Sequence, residues 1–324
     1  MSPRSSSTEN LQPILLQWFI SSFHLLPNDS LYGSPERTLE RFLMEDDKGQ
    51  RYILDKISPT AIPRKLAIAE NLERLHLINP SLPIVPYLKN HQNQFISEEG
   101  DSYWMLSHFV EHLPLNRQTY WQDGWRGLEM AEFLLDLRHA VLKWPQDLGK
   151  SWDPPLEQYI PGFADTIQQR HPGKYALIEP ILHHLESFLS SLHRQEKIFC
   201  HGDFHPLNIL WGYNTIVGVI DWEFSGGKPR LYDIANMLGC LGMENPEALA
   251  DRMTANFIQY FSGEGFGSKE EWASLVDLMI SLRFGWLSEW FRKQDDEMVD
   301  LEITYMQFLV EYKTQLNTFW GIVQ

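Results

Sequence analysis

The first third of the chain mixes short apolar runs of strand character with one helical stripe, and the remainder is mostly helical. Arg37 to Glu45 and Arg51 to Ile57 flank the polar turn Asp46-Asp47-Lys48-Gly49, which predicts a β-hairpin. Pro63 opens a helix in which Leu66, Ala69, Leu72, Leu75 and His76 fall close to one face. Three prolines between Asn79 and Pro86 make that stretch a loop. Two further strands are expected near Gln94 to Ser97 and Tyr103 to Phe109, divided by the turn Glu99-Gly100-Asp101. After Glu111 the period lengthens. Leu128 to Leu142 and Tyr175 to Leu192 read as amphipathic helices, and Ile198 to Cys200 and Ile216 to Ile220 as short strands. Helices are then expected over Pro246 to Phe261, Glu270 to Arg292 and Met298 to Phe319. The order predicts an α+β chain with a small strand-rich part at residues 1–108 and a larger helix-rich part at residues 109–324.

A length of 324 residues with 43% hydrophobic and 22% charged positions allows an ordinary packed core in about two domains or lobes. No run approaches the roughly 18 apolar residues of a membrane span, and the polar head Met1 to Asn10 does not resemble a signal peptide. Two cysteines, Cys200 and Cys240, form no disulfide framework and no structural zinc spacing, so a cytoplasmic protein is expected. A net charge of −16 excludes a broad basic face for nucleic acid. It suits either a cationic substrate or plain solubility.

The chemistry concentrates in Cys200-His201-Gly202-Asp203-Phe204-His205-Pro206-Leu207-Asn208, followed by Ile220-Asp221-Trp222-Glu223. Asp203 and Asn208 are five residues apart, and Asp221 follows Asn208 by thirteen at the end of an apolar strand. Phosphoryl transfer needs a hydroxyl held in line with the phosphorus and neutralisation of the charge on the moving group. An Asp on a rigid loop can orient the hydroxyl and accept its proton. An amide oxygen and a carboxylate can together hold Mg²⁺, a hard ion that takes oxygen ligands. Asp203, Asn208 and Asp221 supply those parts, Gly202 permits a tight turn, and Pro206 stiffens the loop. His201 and His205 are expected to hold the loop by bonding backbone carbonyls, and Cys200 to be a small buried hydrophobe.

This constellation, His-Gly-Asp-x-His-Pro-x-Asn and then Ile-Asp-Trp-Glu, resembles the signature of the aminoglycoside phosphotransferase/choline kinase superfamily, strictly over residues 200 to 235 and loosely over nearly the whole chain. The resemblance implies a two-lobed protein-kinase-like fold with a small antiparallel-sheet lobe for nucleotide and a helical lobe for the acceptor. It implies Asp203 as the catalytic aspartate, Asn208 and Asp221 as Mg²⁺ ligands, and Asp233, in Tyr232-Asp233-Ile234-Ala235, as a brace for the active-site loops.

A kinase lobe also needs a phosphate-holding cation and a carboxylate to fix it. Lys56 and Glu70 are the candidates, with Glu73 as the second carboxylate. The family's lysine follows an apolar pair directly, but here Asp55 holds that slot, so Lys56 reaches the same face only through a bulge. Ser34, in the single-glycine loop Ser30 to Pro35, is the candidate phosphate-loop contact, and the backbone at Phe109 and Val110 that for adenine. ATP is expected, with GTP open. The acceptor is expected to be a cationic or sugar-like small molecule, with neither nucleic acid nor a membrane as partner. Trp286, Glu289 and Trp290 could stack a sugar or hold a cation, or they could pack the core. Two other readings stay open here: a protein Ser/Thr kinase of the same fold, and a nucleotide-binding pseudokinase with a regulatory role.

Overall fold

The computed structural model describes residues 11–27, 38–144, 152–262 and 265–322. They fall into two compact units, one of residues 1–112 with 217–220, the other of 113–216 with 221–324.

In the first unit α1 (Gln12–Leu16) and β1 (Phe23–Leu25) precede the hairpin β2 (Thr38–Asp46) and β3 (Arg51–Ile57). Helix α2 (Ile62–Ile78) follows, then β4 (Tyr87–Leu88), β5 (Ser97–Glu99) and β6 (Ser102–His108). The strands form one antiparallel sheet in the order β1-β2-β3-β6-β4, with β5 also on β6. The hairpin turn is built by Asp46, whose carboxylate accepts the Lys48 and Gln50 N–H groups at 2.9 and 2.8 Å. Side chains alternate between faces along each strand. Met44, Leu54, Trp104 and Leu106 pack on Ile14 and Leu15, while Ile57 and Met105 pack on Phe95 and Ala69 of α2. Pro63 lies in the first turn of α2, where a missing N–H breaks no helical bond. The strand expected from Gln94 starts only at Ser97, because Asn90 accepts the Gln92 and Gln94 N–H groups and draws them into a side-chain-closed turn.

The second unit carries α3 (Gly124–Val141), α4 (Leu156–Arg170), α5 (Pro172–Leu192) and β7 (Lys197–Cys200). Strands β8 (Ile209–Trp211) and β10 (Gly226–Pro229) come next, the intervening β9 (Ile216–Val219) falling largely in the first unit, then α6 (Tyr232–Glu244), α7 (Arg252–Ser262), α8 (Lys269–Ala273), α9 (Leu275–Lys293) and α10 (Asp296–Phe319). Helix α9 is buried on every side from Leu275 to Phe284, so it forms the centre of the unit, packed by α6 and α10 among others. Helix α3 runs close against α7 because Gly127 has no Cβ, which would lie 2.0 Å from the Met253 carbonyl oxygen.

Two expected helices are each divided. Asp251 is extended and separates a short 3₁₀ turn, Pro246–Ala250, from α7. Ser274 leaves helical geometry between α8 and α9, and α8 has its own start in a reciprocal Ser268–Glu271 cap. Helix α4 was not anticipated. Pro161 inside it hides an amphipathic stripe of Ile160, Ala164 and Ile167. Among the described residues no helix is long and apolar enough to cross a membrane.

Candidate active site

The motif occupies the loop that leaves β7, which pairs antiparallel with β10 so that Cys200 lies opposite Gly226. Gly202 has φ +86°, and a Cβ there would fall 2.0 Å from the Phe224 carbonyl oxygen and 2.8 Å from the Lys228 Cε. Both the left-handed backbone and the close approach exclude any side chain. Asp233, in the first turn of α6, clamps the loop from behind. Its two oxygens accept the His201 and Gly202 N–H groups, each at 2.8 Å, which is the bracing the resemblance implied. Burial pushes the Asp233 carboxyl up to about 6, more than its two N–H donors and Lys228 restrain it.

The Asp203 carboxylate gathers amides. Asn208 Nδ2 donates to the Asp203 carbonyl at 2.8 Å and to Oδ2 at 3.0 Å, and Asn236 Nδ2 stands 3.4 Å from Oδ1. His205 Nε2 lies 3.6 Å from Oδ2. Burial alone would raise the Asp203 carboxyl, but His205, His201 and Asn236 outweigh it and hold the group below its ordinary value. Asp203 is thus a carboxylate whose ionised form is favoured, on a loop held by Asp233. Asn208 commits its amide nitrogen to Asp203, which makes its amide oxygen the atom suited to a cation.

Asp221 has left-handed backbone, φ 62° and ψ 59°, at the start of the 3₁₀ turn Trp222–Phe224. This conformation is uncommon for a residue with a side chain and tends to mark functional turns. Asn208 and Asp221 offer the hard oxygen donors that Mg²⁺ prefers. Among the described residues no cluster of three or more His, Cys, Asp or Glu side chains is placed to hold a metal.

The two histidines hold the loop through their Nδ1 atoms, which accept backbone N–H groups. His201 Nδ1 accepts the Asp203 N–H at 3.2 Å, and His205 Nδ1 accepts the Leu207 N–H at 3.3 Å. His201 is fully buried and packs on Trp222, ring centroids 4.5 Å apart. Cys200 is buried, and burial raises its thiol far above the usual range. Asn236 was not foreseen. Its only signal was the spacing Asp233-x-x-Asn236, which puts both on one helical face.

The nucleotide-side residues are placed differently. Register between β3 and β6 runs without interruption from Tyr52 to Ile57, so no bulge turns Lys56. Lys56 lies on the Leu54–Trp104 face, 3.0 Å from Glu40 and 5.5 Å from the Trp104 ring centroid. Helix α2 packs on the other face, so the expected Lys56–Glu70 partnership does not form. Glu70 is exposed and Glu73 binds Lys89 at 2.6 Å. Asp55, buried on the α2 side, is forked by Arg41 at 2.7 and 2.9 Å. At Phe109 the N–H bonds the Arg51 carbonyl, and the Val110 carbonyl accepts from His112 Nδ1. Ser34 and its loop lie outside the described residues.

On the acceptor side, Trp286 and Trp290 are half-buried and stack at 5.9 Å. They line a cavity of about 290 Å³ together with His205, Pro206 and Leu207 of the loop. Glu289 binds Arg292 and Lys293, and the Arg292 bond, aided by Lys293, pushes it down to about 2 against the opposing effect of burial.

The model of the phosphotransferase enzyme family matches residues 36–272. None of the curated proteins matches the chain. Among solved structures, an amicoumacin kinase bound to AMP-PNP, Ca²⁺ and Ami aligns over 93% of this chain and 94% of its own, at 14% identity and a TM-score of 0.60. A hygromycin B-bound aminoglycoside phosphotransferase, APH(4)-Ia, with ADP, aligns over 93% and 98%, at 16% identity and 0.62. An aminoglycoside phosphotransferase from Alicyclobacillus acidocaldarius aligns over 98% and 97%, at 16% identity and 0.57. At these identities the likeness establishes a shared fold, an antiparallel sheet followed by a helical part, as in these kinases.

Proposed function

Since the chain belongs to the phosphotransferase enzyme family, we propose that it transfers the γ-phosphoryl group of ATP to a hydroxyl of a small molecule, with Asp203 as the base. The observation that carries this reading is the geometry of Asp203: a carboxylate faced by Asn208, Asn236 and His205, on a loop that Asp233 and Gly202 make rigid. In the reaction the acceptor oxygen bonds to the γ-phosphorus as the bond to the β,γ-bridging oxygen breaks, and ADP leaves. Asp203 orients the hydroxyl and takes its proton. Asn208, fixed by its amide nitrogen, keeps the Asp203 carboxylate in place while presenting its oxygen forward. Asn208 and Asp221 would hold Mg²⁺, which when bound neutralises charge on the phosphate oxygens.

The test is a coupled ADP-release assay with Mg·ATP and hydroxyl acceptors, run for the wild type and Asp203→Asn. The variant keeps the side chain's size and one accepting oxygen but not the proton acceptor. Loss of turnover by about 10²- to 10⁴-fold, with nucleotide binding retained, is the expected outcome. Unchanged turnover removes Asp203 from the role of base.

A further inference from the structure

Resting on the kinase reading above, we infer that the acceptor is an uncharged hydroxyl compound with a planar or branched apolar body, bound in the cavity beside the catalytic loop. That cavity, about 290 Å³, adjoins Asp203 through His205, which lines it and stands 3.6 Å from the carboxylate. Cys240, also in its wall, is one helical turn beyond Asn236, the residue that donates to Asp203. Its volume is near the lower end of the roughly 300–1,000 Å³ typical of small-molecule sites.

The charges around this cavity are already matched. Glu244 has one oxygen on Arg117 and the other on the Tyr120 hydroxyl. Glu302, buried behind the wall, is forked by Arg283 at 2.5 and 2.7 Å and accepts the Trp290 indole N–H at 3.2 Å. Glu289 holds Arg292 and Lys293. The ring faces are taken in the same way. Trp286 and Trp290 stack on each other, the Arg283 guanidinium lies 5.7 Å from the Trp286 centroid, and Lys293 lies 4.9 Å from that of Trp290. A quaternary ammonium competes for aromatic faces and a polycation for carboxylates, and here the Trp rings and the carboxylates already carry cationic partners. Apolar surface is what it does offer. Leu207 and Leu301 in its wall are 43% and 48% exposed, and Met243 and Met298 add adaptable apolar contact. The net charge of −16 therefore gives no guide to the acceptor.

A larger cavity of about 490 Å³ lies at the Tyr232 end of α6 and carries Asp153 and Glu157 beside Lys197 and Lys228. Of these two cavities this is the one whose lining carboxylates, Glu157 and the Lys228-facing Asp153, suit a cationic acceptor, so the two make opposite predictions.

The experiment measures ADP release with Mg·ATP and two matched sets of probes: benzyl alcohol, 2-phenylethanol and uridine against choline, ethanolamine and kanamycin. The neutral set is expected to stimulate release about ten-fold or more over water. Trp286→Ala is expected to raise the KM for the responsive alcohol about ten-fold while kcat stays within about three-fold. Leu301→Asn, at an exposed position with little folding burden, is expected to move KM the same way. Stimulation by the cationic set, lost in Glu157→Ala, overturns the inference and leaves the kinase reading intact. So does Asp203-dependent hydrolysis that neither set accelerates. Absence of any nucleotide turnover removes both readings.

Discussion

The loop after β7 in the second unit and strand β3 of the first both carry chemically suggestive residues at set spacings, and the fold brings together only the first set. In the loop, Gly202, Asp203, Asn208 and Asp233 bond to one another within one short stretch and the next helix. On β3, Lys56 faces away from the helix that carries its expected partner, and Asp55 takes the inward place with Arg41. Local backbone geometry decides the first case. Strand phase decides the second, and one residue of displacement reverses a side chain.

Four substitutions or conditions sharpen that contrast. The largest effect is expected from Gly202→Ala, which adds a Cβ 2.0 Å from a carbonyl oxygen at a left-handed position. Overpacking and backbone strain together are expected to cost about 3 kcal/mol or more and to remove turnover, read by thermal unfolding and the coupled assay. A stable, active variant would show that the loop is not locked. Next, Asp221→Ala is expected to weaken Mg·ATP binding about ten- to a hundred-fold, and unaltered affinity by calorimetry would contradict its metal role.

Asp233 supplies a pH test. Its carboxyl is raised by burial to about 6 from an ordinary 3.8. The folded state therefore keeps a proton that the unfolded state loses earlier, so this group's stabilising contribution is fully present below about 3.8. It is lost as pH rises to about 6. Activity runs the other way, because only the ionised form accepts both loop N–H groups. An acid limb in kcat/KM with a midpoint near 6, abolished in Asp233→Asn along with much of the activity, is expected. A limb unmoved in that variant belongs to another group. The smallest effect is expected from Lys56→Ala, since a partly exposed pair with Glu40 is worth about 0–1 kcal/mol. Nucleotide affinity should change less than about three-fold, and a ten-fold loss would mean that Lys56 reaches phosphate after all.

Much of the site was legible because phosphoryl transfer demands particular atoms at short sequence range. The Asp203–Asn208 step and the Asp233 brace could be read from that demand and the resemblance it carries. Asn236 could not, since an amide on a helix has many ordinary uses until its partner's position is known. The polarity of His201 and His205 was hidden because either ring nitrogen can donate or accept, and only the local N–H groups decide. Helix α4 was concealed by Pro161, and the breaks at Asp251 and Ser274 by apolar periodicity that continues across them. The matched charges around Glu244 and Glu302 join residues more than a hundred positions apart in one case and on separate helices in the other, so no linear pattern announces them.

The central claim is tested most directly by following the phosphorus itself. Phosphorus-31 NMR of the wild-type protein with Mg·ATP and the hydroxyl panel is predicted to show a new phosphomonoester resonance growing in step with ADP. ADP accompanied only by inorganic phosphate, or ATP that stays intact with every acceptor, would contradict transfer to a small-molecule hydroxyl.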